Sequence, residues 1–165
     1  METGAEAEAE AGRVAKPDGM FIGVIGGSEA DEETYALARK VGREIARRGH
    51  VLICGGLSGV MEGAARGARE EGGFTIGILP TGRRADANPY IDVAIATDMG
   101  HARNAIIANT ADALVAVGGS YGTLSEISFG LKLGKRVVSL KSWDFDPAIV
   151  VVSDPAEAVS KASGG

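Results

Sequence analysis

The chain has 165 residues, 45% of them hydrophobic, which is typical of one domain that buries its own core. Its formal net charge of −5 argues against a general nucleic-acid binder, which needs a basic face to displace counterions. The one cysteine, Cys54, excludes an internal disulfide and argues against a cysteine metal site. Because Cys54 lies in an apolar run, we interpret it as a small buried core residue.

Residues 1–18 are rich in alanine, glutamate and glycine, and they predict a disordered leader. They lack the basic start and long apolar centre of a signal peptide, and no apolar stretch is long enough to predict a transmembrane helix. We therefore expect a cytoplasmic protein that does not bind membranes. One folded domain is expected over residues 19–161, followed by a frayed tail at 162–165.

From Met20 onward, short apolar runs alternate with segments of helical periodicity. In the first half this pattern predicts strands at 20–25, 51–54 and 74–79, with helices at 32–48 and 60–71 between them. The polar segment 83–90 contains Pro89 and predicts a surface loop. In the second half the pattern predicts strands at 92–96, 113–117, 136–140 and 148–152, the last at an edge, and helices at 102–108, 125–133 and 155–161.

Mostly apolar strands that alternate with helices are typical of a parallel sheet covered on both faces. Right-handed crossovers then give an α/β fold that is Rossmann-like and doubly wound. In such a fold, ligands bind beyond the carboxyl ends of the strands, where the strand order reverses. The sequence therefore predicts where a ligand site would lie before any motif is considered.

Glycine-rich turns follow three of the predicted strands, at Gly26-Gly27-Ser28, at 55–59 beginning with Gly55-Gly56, and at 118–123. One such turn alone indicates only a tight turn. Because the carboxyl ends of parallel strands meet at one edge, the three together predict a shared rim that binds the phosphate of a small ligand. None has the lysine of a Walker A loop, and none matches the dinucleotide motif G-x-G-x-x-G, which disfavours NAD.

The third turn carries the most chemistry. A strand, a glycine-rich turn and a helix in that order aim backbone N–H groups and the positive end of the helix dipole at one point. We predict ligand contacts from Gly118, Gly119, Ser120, Tyr121, Gly122 and Thr123. A phosphate cradle does not need the carboxylate of Glu126, so that residue is a candidate for chemistry or for reading a ligand hydroxyl. The alternative is that Glu126 stabilises the dipole from the first turn of the helix.

A second candidate segment, residues 99–104, lies where a strand gives way to a helix at the same edge. Arg103 could bind a phosphate or carboxylate with its planar fork, or could lie on the helix surface. Asn104 could bind the ligand or nearby backbone groups. His101 is interpreted as a residue at the start of the helix, and no cluster of residues predicts a metal site.

The segments 55–61 (Gly-Gly-Leu-Ser-Gly-Val-Met) and 118–126 together resemble the Lonely Guy family, once mislabelled as lysine decarboxylases. The resemblance also covers 23–28, 78–80 and 99–104. It implies a Rossmann-like homo-oligomer, dimer or tetramer, that hydrolyses nucleoside 5′-monophosphates to base and ribose 5-phosphate without a cofactor. The family's catalytic pair would fall on Arg103 and Glu126, with Glu126 supporting water attack at the anomeric carbon and Arg103 holding the ligand.

Two residues depart from the hydrolases' pattern, since Val117 stands in place of their proline and Asn104 in place of their lysine. In these respects the chain is more similar to the molybdenum cofactor carrier branch, whose members bind a phosphorylated pterin. We therefore expect a binding protein for a phosphorylated nucleotide- or pterin-like ligand, with the molybdenum cofactor as its cargo. The alternatives are a phosphoribohydrolase and a sensor of a signal nucleotide.

Overall fold

The computed structural model describes residues 19–165, and the expected leader at 1–18 lies outside them. The strands are β1 Phe21–Ile25, β2 Val51–Cys54, β3 Thr75–Leu79, β4 Val93–Ala96, β5 Ala113–Val117, β6 Arg136–Leu140 and β7 Val150–Val152. The α-helices are α1 Glu32–Arg47, α2 Val60–Glu70, α3 Arg103–Thr110, α4 Tyr121–Lys132 and α5 Pro155–Ala162. None of the helices in this part of the chain has the length and apolar character needed to cross a membrane.

All seven strands pair in parallel, in the order β4-β3-β2-β1-β5-β6-β7. The chain begins at the centre with β1, moves outward to β4, and returns to the other side of β1 with β5. Ile22 of β1 is therefore in register with both Leu52 and Ala113. This reversal of strand order opens a crevice at the carboxyl ends of β1 and β5. The predicted Rossmann-like, doubly wound α/β fold is confirmed.

The sheet is apolar on both faces because helices cover both. Helices α1, α2 and α5 contribute to one core cluster, and α3 and α4 contribute to the other. Successive strand residues point to opposite faces, so Leu52 packs in the first cluster and its neighbour Ile53 in the second. Continuous apolar runs, rather than alternating ones, follow from this double burial.

Helices α1 and α2 approach each other closely because small residues line their contact. Gly42 of α1 lies against the backbone of Ala64, and Gly67 of α2 lies against Arg39. A Cβ at either glycine would come within 1.9 Å of a carbonyl oxygen on the facing helix. The two helices therefore form a rigid pair that supports the turns after β1 and β2.

Helix α4 begins four residues earlier than the glycine run predicts. Within the glycine run 118–122, only Gly118 and Gly119 have positive φ, at 56° and 104°, and the helix starts at Tyr121 just after them. Glu126 consequently lies in the second turn of α4, and the first turn holds no acidic residue. The interpretation of Glu126 as a first-turn stabiliser of the helix dipole is therefore wrong. A short 3-10 turn, Gly100–Ala102, leads into α3.

Candidate functional site

A cavity of about 270 Å³ opens at the carboxyl edge of the sheet, where the turns after β1 and β5 meet the start of α3. The predicted site residues that line it are Gly26, Gly27, Ser28, Arg103, Asn104, Ser120, Gly122, Thr123 and Glu126. Five predicted ligand contacts are not among its lining residues: Gly55, Gly56, Gly118, Gly119 and Tyr121. The structure thus brings together predicted residues from the first and third glycine turns and from segment 99–104, whereas Gly55 and Gly56 of the second turn do not line the cavity.

Five further lining residues belong to segments that the sequence singled out but were not predicted as ligand contacts: Leu57, Met61, Pro80, Gly100 and His101. Leu57, Met61 and Pro80 follow strands β2 and β3, so the rule that placed the glycine turns at this edge applies to them as well. Position at the carboxyl edge of the sheet thus indicates apolar lining residues as well as glycine and polar ones. The apolar members give the cavity a mixed lining, which suits a ligand with both a polar and an apolar part.

The N-terminal turn of α4 holds backbone amides that have no hydrogen-bond acceptor among residues 19–165. The amide of Leu124 is the first to bond within the helix, donating to the carbonyl of Ser120 at 3.0 Å, and the Ser120 side chain makes no capping bond. The three preceding amides, from Tyr121 to Thr123, have no intrahelical acceptor. Thr123 is only 2% exposed, and its Oγ1 has no hydrogen-bond partner among the described residues. This turn, which we call the α4 cradle (residues 119–123), is suited to an anion.

Gly119 is required by the shape of the α4 cradle. Its φ of 104° is one that side chains rarely adopt, and a Cβ there would lie 2.3 Å from Oγ1 of Thr123. Gly119 therefore shapes the cradle from behind rather than lining the cavity.

Tyr121 points away from the cavity and is 80% exposed. Its ring stacks on Trp143 with 6.3 Å between the ring centroids, and Trp143 Nε1 donates to the carbonyl of Ser120 at 3.1 Å. The aromatic pair thus holds the turn in place from the outside. The predicted ligand contact from Tyr121 has no support in this geometry.

The Arg103 guanidinium is buried and is bonded to the protein itself. Nε donates to the carbonyl of Ile78 at 2.9 Å, Nη2 to the carbonyl of Gly55 at 3.5 Å, and Nη1 to Oδ1 of Asn104. A Cβ at Gly55 would lie 2.5 Å from Nη2, so this glycine makes room for the guanidinium. Arg103 therefore ties together the ends of β2 and β3 beneath the cavity, and Gly55 serves Arg103 rather than a ligand.

Asn104 is 2% exposed and has partners on both ends of its amide. Oδ1 accepts from Arg103, while Nδ2 donates to Oγ of Ser125 at 3.1 Å and to the carbonyl of Gly122 at 3.5 Å. Oγ of Ser125 in turn donates to the carbonyl of Gly122 at 2.7 Å. Of the two sequence-based interpretations of Asn104, the structure supports bonding to neighbouring protein groups.

Glu126 is 6% exposed, and the pKa of its buried carboxyl lies well above the ordinary value. Burial raises the pKa of Glu126 to about 8, and the positive charge of Arg103 opposes that rise. At neutral pH the carboxyl is therefore mostly protonated and can donate a hydrogen bond. Burial likewise raises the pKa of the nearby Cys54 thiol to about 12, in agreement with its interpretation as an inert core residue.

The described residues show no group of three or more histidine, cysteine, aspartate or glutamate side chains placed to hold a metal ion. What the site does offer is a set of neutral and dipolar donors: backbone amides, the hydroxyl of Thr123 and the protonated carboxyl of Glu126. Such a set binds oxyanions and polar ligand groups.

Residues 19–163 match the sequence model of a family described as SLOG cluster4. A protein of Archaeoglobus fulgidus, described as uncharacterized, is 56% identical over 142 residues, which are 86% of this chain and 93% of that protein. The solved structure of the molybdenum cofactor binding protein from Rippkaea orientalis superposes with a TM-score of 0.82 at 34% identity, covering 88% of this chain and 96% of that one.

A third relative is the cytokinin riboside 5'-monophosphate phosphoribohydrolase of Mycobacterium tuberculosis. It is 36% identical over 103 residues, which are 61% of this chain and 55% of that enzyme. The chain spans about half the length of the phosphoribohydrolases it matches. Similarity to the cofactor-binding protein therefore extends over nearly a whole chain, and similarity to the hydrolases over a part.

Proposed function

The chain belongs to the SLOG cluster4 family, within the Lonely Guy group, and from this premise we propose that it binds a phosphorylated nucleotide- or pterin-like ligand without cleaving it. The observation that carries the proposal is the α4 cradle, where the first-turn amides have no intrahelical acceptor and Ser120, Gly122 and Thr123 line one cavity. A phosphate accepts several hydrogen bonds at once, and the helix dipole favours its charge.

Binding is favoured over cleavage by the state of the two residues that would do the chemistry. A general base must be ionised, yet the pKa of Glu126 is about 8. Arg103 commits three of its five N–H donors to protein oxygens, so its guanidinium is held as part of the cavity wall. The site is therefore better organised to hold a ligand than to attack one.

The molybdenum cofactor is our leading candidate for the cargo. The support is the similarity to the Rippkaea orientalis protein, which is named for binding that cofactor and which this chain covers almost end to end. The phosphate would lie in the α4 cradle, and the pterin would extend over the apolar lining. Leu57, Met61 and Pro80 supply that lining.

The test of binding compares wild type with Gly119→Asp, which forces a side chain against Thr123 behind the α4 cradle and adds a negative charge there. Ser128→Asp puts the same charge on an exposed site of the same helix and is the matched control. We expect Gly119→Asp to weaken binding of the molybdenum cofactor at least about 100-fold, or about 3 kcal/mol, and to abolish its protection from oxidation. Undiminished retention by Gly119→Asp would contradict the proposed site.

The second candidate is hydrolysis of a nucleoside 5′-monophosphate. The observation in its favour is that Arg103 and Glu126 share one cavity, and similarity to the Mycobacterium tuberculosis phosphoribohydrolase adds to it. Purified protein should be incubated with AMP and with cytokinin monophosphates, and free base measured by chromatography. Release of free base by wild type, abolished in Glu126→Gln, would support hydrolysis. The absence of release from every monophosphate tested would contradict it.

A further inference from the structure

The side chain of Asn104 joins the two sides of the cavity. On one side its Oδ1 accepts from Nη1 of Arg103, and on the other its Nδ2 donates to Ser125 in the α4 helix. Both ends of a fully buried amide are thus satisfied by protein groups, which is the arrangement expected of a structural element rather than of a free ligand contact. The connection runs from the ends of β2 and β3, through Arg103 and Asn104, to the α4 cradle.

Arg103 is held in a particular direction by this connection. Its Nε and Nη2 donate to the carbonyls of Ile78 and Gly55, and Asn104 takes up Nη1. In the described structure Arg103 forms no ion pair with Glu126, although the two charges influence each other. The carbonyl partners are fixed by the sheet, so Asn104 is the partner that a side-chain substitution can remove.

We propose that Asn104 is a positioning residue that holds the Arg103 guanidinium against the strand ends, links it to α4, and thereby fixes the position of the Arg103 charge relative to the Glu126 carboxyl. The functional meaning of this inference rests on the ligand site proposed above.

Few charged groups face Glu126 from the surrounding elements. Arg103 approaches from α3, the buried thiol of Cys54 from β2, and His101 lines the same cavity. The raised pKa of the Cys54 thiol keeps it neutral at physiological pH. The position of Arg103 is therefore the main electrostatic variable at the Glu126 carboxyl.

The experiment measures the pKa of Glu126 in the ligand-free full chain by the ¹³C shift of its carboxyl group, assigned with Glu126→Gln. We expect Asn104→Ala to free Nη1 of Arg103 to approach Glu126 and to lower that pKa from about 8 by about one to three pH units. Asn104→Asp keeps an acceptor for Arg103 and adds a negative charge, so it should not lower the pKa. Loss of packing alone would move both variants in the same direction.

Asn109→Ala is the matched control, because Asn109 lies on the same helix but its side chain donates to the carbonyl of Ala105 at the surface. It should leave the pKa of Glu126 unchanged. If Asn104→Ala does not fold, Asn104→Ser keeps the position polar while being too short to reach both partners. An unchanged pKa in the shortened variant, or a fall in Asn104→Asp as well, would overturn the proposal. Since no ligand is present, such a failure would leave the proposed binding function untouched.

Discussion

A buried carboxyl stabilises the fold in its neutral form and destabilises it when it ionises, because the charge loses its hydration. Glu126 is such a group, and its pKa is raised from the ordinary 4.5 to about 8. The folded chain therefore binds this proton more tightly than the unfolded chain does. The resulting stability is complete below pH 4.5 and is lost as the pH rises through 8.

We expect Glu126→Gln to remove this loss, since glutamine cannot ionise. Near pH 4.5 the variant and wild type should have similar thermal midpoints, and the variant should become the more stable by up to about 1 kcal/mol per pH unit as the pH rises towards 8. Thermal unfolding of the ligand-free chain across that range is the measurement. Glu29→Gln, at an exposed loop position, is the control, and parallel curves for wild type and Glu126→Gln would contradict the prediction.

At the residue scale, the sequence indicated Arg103 and Glu126 as site residues, but it could not show how Arg103 is used. Its acceptors on Ile78 and Gly55 are 25 and 48 residues away along the chain. Those contacts exist only once β2 and β3 have been placed side by side, and no local pattern encodes them. The family resemblance therefore indicated Arg103 and Glu126 as site residues, whereas the contacts that hold Arg103 were visible only in the folded structure.

At the element scale, the close contact between α1 and α2 sets the stability of the face that carries the turns after β1 and β2. Gly42 fits this contact because it has no Cβ, and a methyl group there would lie 1.9 Å from the carbonyl oxygen of Ala64. Alanine is the better helix former by about 1 kcal/mol, whereas overpacking typically costs about 1–3 kcal/mol. Since a backbone atom blocks the methyl group, the steric cost should prevail.

We therefore expect Gly42→Ala to lower the free energy of unfolding by about 1–3 kcal/mol, measured by urea denaturation. Gly122→Ala is the matched control in α4, because a Cβ at Gly122 meets nothing within 4 Å. That control should be neutral, or more stable by up to about 1 kcal/mol. A stabilised Gly42→Ala would show that the two helices can separate freely.

The start of helix α4 could not be predicted from the glycine pattern of the sequence. The run from Gly118 to Gly122 predicts one loop, yet only Gly118 and Gly119 adopt positive φ. Gly122 is helical, and glycine frequency cannot distinguish a residue that needs positive φ from one that needs only small size. The strands, in contrast, were predicted to within a residue except for β7, which begins two residues later than predicted. For the central strands the reason is that burial on both faces leaves an uninterrupted apolar run.

At the scale of the whole molecule, the expected homo-oligomer has a candidate surface on the edge strand β4. Its Val93 and Ile95 are 42% and 47% exposed, although they lie in the sheet beside buried β3 residues. Exposed apolar groups on an unpaired edge favour association with another chain. We expect self-association through this edge.

Ile95→Lys should weaken that association and shift the sedimentation coefficient towards the monomer's value. Val151→Lys, on the opposite edge strand β7 where Val151 is 56% exposed, is the matched control and should leave the assembly intact. A concentration series by analytical ultracentrifugation makes the comparison. Equal behaviour of the two variants, or a monomeric wild type at every concentration, would contradict the assignment of this surface.

The central position of β1 has a consequence for when the cavity first exists. The walls of the cavity come from the turns after β1 and β5. These two strands pair although they are far apart in sequence, with Ile22 of β1 opposite Ala113 of β5. A chain emerging from the ribosome can assemble β1 to β4 early, but the cavity has no second wall until α4 has followed β5 out of the exit tunnel. A nascent chain therefore lacks the complete cavity until α4 has been synthesised and has folded against the sheet.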